Sequence, residues 1–339
     1  MDSRTRRRRL FRTRRTESRR GNSSRPKSSS SPPPTSAPPL STEPPTEEAV
    51  WIPEGTVAER ILIPITRIDT GTEIEDWIID ERVGEVQGCC VVRAHHRDSD
   101  RIRATLKIVT DPDPGARESL IKEGEILFSI RHPNIAQVRN LKLDHSPSFL
   151  EFDSLPGNPL DQVLRKKRSL FMAEALDYTE QILSALAYLH QHHVYHLDIC
   201  PQNMIVRRDG VIKLMGFSHA AETEDLSVAL PMTALPYIAP EWPTSSRAAT
   251  VDLYAVGCML FEFLTGHTPF GAPLTGCGLT VASVLHAKQS VPFLDPGARF
   301  QDDLRVTVRS LTNRDPATRL ANANEALTRL QRVERSYAR

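Results

Sequence analysis

Cysteine is scarce in this sequence and long apolar runs are missing. The five cysteines, Cys89, Cys90, Cys200, Cys258 and Cys277, are odd in number and lack paired metal-ligand spacing. That pattern argues against a thiolate metal site and reads as reduced thiols in a cytoplasmic protein. No window approaches the roughly 18 apolar residues of a membrane span. The most apolar stretch, Val256 to Leu264, carries Glu262 and reads as a buried helix. An export signal is also missing. Thr5-Arg6-Arg7 and Leu10-Phe11 are not followed by an apolar region, and Asp2 and Glu17 do not suit an organelle transit peptide. A chain without a transmembrane segment is expected.

The net charge of +1 sums unlike parts. Arg4, Arg6 to Arg9, Arg12, Arg14, Arg15, Arg19 and Arg20 crowd the start, which leaves the remainder acidic on balance. Residues 1–48 add a serine run, Ser28 to Ser31, and a proline-rich run, Pro32 to Pro45. Such a segment buries too little apolar surface to offset its ordering entropy, so a disordered tail is expected. Its arginines suit nucleic acid or an anionic membrane, through counterion release and charge attraction; a solvated tail without a specific partner is the alternative. Residues 49–75 read as an N-terminal extension with short strands at Val50-Trp51-Ile52 and Ile61-Leu62-Ile63-Pro64-Ile65, where Pro64 suggests a sheet edge.

From Trp77 onward strands come first and helices follow. Ile78 to Val83, Cys90 to Ala94 and Arg103 to Val109 read as a three-strand meander, with a helix next over Gly115 to Ser129. Two further strands are expected near Ala136 to Leu143 and Phe149 to Phe152. After the break at Pro156-Gly157-Asn158-Pro159 the periodicity turns helical, most clearly over Ala175 to Gln191. Farther on stand His196-Leu197-Asp198-Ile199-Cys200-Pro201-Gln202-Asn203, then Met204-Ile205-Val206, a turn at Asp209-Gly210, and Gly216-Phe217-Ser218. An Asp with an Asn five positions later can receive a hydroxyl proton and hold a metal.

These residues, in this order, resemble the protein kinase superfamily, nearest its bacterial-style serine/threonine group. The resemblance covers residues 76–335 and implies an α+β, two-lobed kinase-like fold: a small antiparallel sheet plus one helix over 76–152, then a larger, mainly helical lobe over 156–335. In Ala104-Thr105-Leu106-Lys107 it gives Lys107 the role of pairing with nucleotide phosphates, and Glu123, upstream of His132-Pro133-Asn134-Ile135, that of its ion-pair partner. Asp198 and Asn203 become the catalytic carboxylate and a metal ligand. The implied nucleotide frame is Gly84, Val91, Thr105, Lys107, Phe152, Asp153, Leu155 and Ile205. Glu241, in Ala239-Pro240-Glu241, is expected to pair with Arg319, and Asp252 to accept hydrogen bonds from the backbone around His196.

The chain departs from the family where chemistry is concentrated. Gly216 stands where the family has its main metal-binding Asp, and Cys200 replaces the lysine that steadies the transferred phosphate. Leu197 replaces an arginine that reads a phosphorylated activation segment. In Val83-Gly84-Glu85-Val86-Gln87-Gly88-Cys89-Cys90-Val91 the first glycine remains, while Val86 and Cys89 replace the second and third. Such a loop needs glycines so that backbone N–H groups reach phosphate unobstructed. Glu85, Asp209 and Glu222 are candidates for a substitute metal ligand, with magnesium otherwise held by Asn203 alone. Weak ATP binding through Lys107 and an empty pocket filled by Val86 and Phe152 both remain open.

The expected function is a pseudokinase acting as a scaffold or allosteric signalling partner. The alternatives are a weak or unconventional ATP-dependent serine/threonine kinase and a polyanion-binding protein using the Arg-rich tail. Thr223, Ser227 and Thr233 are phosphorylation candidates, and Ala234 replaces a threonine that contacts the catalytic loop in the family.

Overall fold

Alternating side chains in three long strands set the architecture of the first lobe. In a computed structural model, residues 68–86, 88–111, 114–143, 146–223, 235–242, 248–270 and 281–337 are described. The Arg-rich tail, the strand readings at 50–52 and 61–65, and the candidates Ser227, Thr233 and Ala234 lie outside these residues.

Strands β1 (Glu73–Ile74), β2 (Trp77–Val86), β3 (Cys89–His96), β4 (Ser99–Val109), β5 (Val138–Lys142) and β6 (Phe149–Asp153) form an antiparallel sheet in the order β1-β2-β3-β4-β6-β5. Successive side chains of β4 point to opposite faces. Ala104, Leu106 and Ile108 join Ile68, Trp77, Ile79, Val92 and Phe149 in one buried cluster. The opposite face carries Thr105 and Lys107. Helix α1 (Pro114–Ser129) covers that side and buries Leu120, Glu123, Gly124, Ile126 and Leu127.

The second lobe contains α2 (Leu160–Lys167), α3 (Met172–Gln191), α4 (Ala248–Thr265), α5 (Val281–Ser290), α6 (Asp302–Leu311) and α7 (Ala323–Tyr337). Between α3 and α4 lie β8 (Met204–Arg207) and β9 (Ile212–Leu214), which pair with each other. The run Pro156-Gly157-Asn158-Pro159, read from sequence as a break, instead supplies a short strand, β7 (Gly157–Pro159), that pairs antiparallel with β8. Its partner lies far along the chain, which no local pattern reveals.

Helix α4 is 18 residues long with a mean hydropathy of 1.4, enough to qualify as a membrane span by length and composition. Burial inside the lobe reaches 78% of it, which is the place of a core helix. Asp252 on α4 accepts from the backbone N–H groups of His196 (3.0 Å) and Leu197 (2.8 Å), and so ties the backbone at 196–197 to the core helix.

Candidate active site

The site is built where the β4 side chains, α1 and the segment around residues 198–218 meet. Lys107 and Glu123 are both buried, and Lys107 Nζ donates to Glu123 Oε2 at 2.5 Å. A third group completes the arrangement. Ser218 Oγ donates to the same Oε2 at 2.8 Å and accepts from Lys107 Nζ at 3.1 Å. Burial works against both charges, yet the Glu123 carboxylate holds Lys107 above its ordinary pKa. Burial likewise opposes ionisation of Glu123, but Lys107 and the Ser218 hydroxyl hold it below its ordinary value. The pair is therefore ionised, with Glu123 Oε2 shared between Lys107 and Ser218. Phe217, in the hydrophobic plug beneath, is fully buried and packs edge-on against His196 with ring centroids 4.6 Å apart.

His196 orients Asp198. Its Nε2–H donates to Met215 O at 2.9 Å, so its Nδ1 accepts from the Asp198 N–H at 3.2 Å. Burial lowers the His196 pKa, which keeps the ring in this neutral tautomer. The Asp198 carboxylate is almost fully buried. Oδ1 lies 3.8 Å from the Cys200 thiol, which donates to it, and Oδ2 lies 3.4 Å from His219 Nδ1. Burial, then the adjacent Asp198, pushes the Cys200 thiol well above its ordinary pKa, so it supplies no charge there.

Gly216 has a left-handed backbone, φ +79°, and a Cβ at this position would lie 2.5 Å from Asn203 Cγ and Oδ1. Asn203 is fixed in turn: its Nδ2 donates to Asp198 O at 2.8 Å, and its backbone carbonyl accepts from the Met215 N–H at 2.8 Å. The volume into which a metal-binding side chain at 216 would grow is thus filled by the Asn203 amide.

The interlobe cavity has a volume of about 250 Å³. This is below the roughly 300–1,000 Å³ of ordinary small-molecule clefts. Among the nucleotide-frame residues read from the sequence, Gly84, Val91, Lys107 and Ile205 line it; Thr105, Phe152, Asp153 and Leu155 do not. Thr105, Phe152 and Leu155 are instead packed in the interior, and Asp153 pairs with Arg139 of β5. Val86 lines the cavity, whereas Phe152 sits in the core cluster. Gly88 turns inward: its carbonyl accepts from the Thr110 and Asp111 N–H groups at 2.9 and 3.0 Å. Its φ of +71° and a Cβ position 2.8 Å from Asp111 Cβ account for the glycine, which serves hairpin closure.

Of the substitute metal ligands, Glu85 pairs with Arg82 and Asp209 with Arg207, the latter at 2.9 Å. Among the described residues no group of three His, Cys, Asp or Glu side chains has the placement to hold a metal ion. Magnesium demands near-octahedral oxygen ligation, usually through carboxylates. The donor set here, an amide engaged with its own loop and one carboxylate facing a thiol and an imidazole, does not fit a magnesium–nucleotide complex. Sequence reasoning missed Ser218, His219 and the α2 residues Asp161 and Arg165 on the cavity wall. The polar pair Ser218-His219 directly after the plug was the available signal.

The framework residues are intact. Arg319 grips Glu241 with two hydrogen bonds, at 2.6 and 3.0 Å, and also donates to Thr250 O at 2.7 Å. A family model of the protein kinase domain matches residues 77–329. The chain belongs to the protein kinase family. Among curated kinases it is similar to the serine/threonine-protein kinase ULK3 of Xenopus laevis, 31% identical over 255 residues, covering 73% of this chain and 53% of that protein. It is also similar to the probable serine/threonine-protein kinase PknB of Lactococcus lactis, 27% identical over 212 residues, covering 61% of this chain and 33% of that kinase. Aurora kinase A-A of Xenopus laevis is 30% identical over 201 residues, covering 58% and 49%. The chain thus spans about half or less of the length of these kinases.

Proposed function

We propose that the chain is a catalytically impaired, serine/threonine kinase-like protein that works as a scaffold or allosteric signalling partner in the cytoplasm. The observation that carries this reading is Gly216 itself, which puts no carboxylate where phosphoryl transfer needs a metal ligand and has the Asn203 amide packed 2.5 Å from its Cβ position. The neutral Cys200 and the Ser218 hydroxyl on Lys107 support it. Removing one preorganised electrostatic group costs about 2.7–4 kcal/mol in a transition state. Two are missing, so a rate loss of about 10⁴ or more relative to an intact site is expected, even with overlap between them.

A second reading, a weak kinase, is favoured by one observation. Asp198 Oδ2 is buried and makes no hydrogen bond, with the His219 imidazole 3.4 Å away, a state suited to receiving a substrate hydroxyl. A single assay separates the two: transfer of labelled phosphate from ATP to the full chain and to a generic protein substrate, with magnesium or manganese. The scaffold reading expects no signal above that of Asp198→Asn. Metal-dependent transfer abolished by Asp198→Asn would overturn it. The partner that such a scaffold holds is a protein, with the Arg-rich tail offering an additional contact to a polyanion.

A further inference from the structure

Thr105 stands on β4 directly opposite Phe152 of β6, with its side chain on the same face as Lys107. The chain leaves β6 and runs on through Ser154 and Leu155 to the second lobe, while Val91 and Ile205 line the cavity between the lobes. A flat heteroaromatic ring inserted between those two side chains would turn its polar edge toward the connecting segment. There it needs backbone donors and acceptors, because ring nitrogens removed from water without a partner are penalised.

The Leu155 N–H of that segment is already used. It donates to Thr105 Oγ1 at 3.2 Å, with Thr105 0% and Leu155 2% exposed. The cavity stops short of both residues, and its open part extends instead toward Lys107, Asn203 and Arg165.

We infer that Thr105 is a specificity-determining residue that closes the base end of the cleft: its hydroxyl takes the place of a purine ring on the Leu155 N–H, and its bulk fills the space the ring would enter. The inference rests on reading this cleft as the place where a nucleotide would bind, and it says that the chain rejects the base independently of any loss of phosphate chemistry. The effect is local. An alanine lacks both the acceptor and the two heavy atoms beyond Cβ, whereas a serine keeps the acceptor.

The test is isothermal titration of the full chain, without metal, using adenosine, ADP and inorganic triphosphate. Adenosine probes the base end alone and triphosphate the phosphate end alone. Thr105→Ala is expected to bind adenosine and ADP at least about tenfold more tightly than the wild type, the scale of one recovered hydrogen bond plus relieved crowding. Thr105→Ser is expected to gain little, and triphosphate binding to be the same in all three chains. Equal adenosine affinity in the wild type and Thr105→Ala would overturn the inference, as would an equal gain in Thr105→Ser.

Hydrogen exchange on the wild type needs no variant. The Leu155 amide should be protected without ligand and unchanged by millimolar adenosine, and adenosine-induced protection there overturns the inference. Phosphate transfer by the wild type would remove the scaffold reading. Adenosine binding without transfer would remove only the role assigned to Thr105.

Discussion

The Asn203 amide and the α-carbon of Gly216 are packed so closely that a Cβ on residue 216 would lie 2.5 Å from Asn203 Oδ1. Gly216, where the family has a carboxylate, is therefore closely packed. A neighbouring side chain has settled into the space, and the backbone at 216 keeps the left-handed conformation that glycine adopts without cost.

Restoring the family's residue is accordingly expected to fail as a single change. Gly216→Asp should lower stability by about 1–3 kcal/mol, from overpacking plus the left-handed backbone. Asn203→Ala should recover part of that loss in the double variant. Urea denaturation of the four chains of this cycle measures the coupling, and strictly additive effects would show that the two residues do not compete for space.

The Lys107–Glu123–Ser218 group predicts an order of effects. Ser218→Ala removes two hydrogen bonds from a buried ion pair and should cost about 1–3 kcal/mol. Lys107→Met leaves the Glu123 carboxylate buried without a cation and should cost more, about 3–5 kcal/mol. Thermal and chemical unfolding check the ranking. Ser218→Ala matching the wild type would mean that the hydroxyl contributes nothing to holding α1 on the sheet.

The strands around Lys107 were legible because alternation is a local signal, and the partnership of Lys107 with Glu123 followed from their order in a recognisable pattern. Ser218 was not legible as its third member, because it meets Lys107 across 111 residues and nothing near it announces burial. Thr105 was read as part of the nucleotide frame, yet its bond to Leu155 depends on how β4 and the connecting segment approach each other. Likewise β7 exists only because β8 lies beside it. What the sequence concealed was pairing between distant polar groups.

Glu241 and Arg319 should behave as one unit. Arg319 satisfies the Glu241 carboxylate and the carbonyls of Thr250 and Asn313, and it stacks on Tyr254 with its guanidinium carbon 4.9 Å from the ring centroid. Arg319→Ala is expected to destabilise the domain by about 3–5 kcal/mol. Arg319→Lys should rescue little of this, since an ammonium reproduces neither the fork nor the stacking. Full rescue by lysine in a melting experiment would reduce the interaction to a simple charge pair.

Lys288 supplies a pH dependence of definite sign. Its side chain is completely buried, donating to Pro236 O at 2.9 Å and Ile238 O at 2.5 Å, with Tyr254 and Phe270 rings on either side. Burial lowers its pKa from 10.5 to about 8, opposed by Cys258 and Glu241. The neighbouring Cys258 thiol and Tyr254 phenol are themselves pushed up, to about 12 and well above 10.0 respectively, so they stay neutral across this range. Between pH of about 8 and 10.5 the unfolded chain holds the Lys288 proton while the folded chain has released it. The unfolded state then binds more protons, so stability must rise with pH through that window. Below the window Lys288 is charged in both states and the full cost of burying the ammonium is present. The wild type should therefore gain stability relative to Lys288→Met as pH rises from 7.5 to 10.5, by about 3 kcal/mol at most. Titrations shared by both chains cancel in this difference. A flat or falling difference in urea midpoints would mean that Lys288 keeps its proton, held by the two carbonyls and the aromatic rings more strongly than burial expels it.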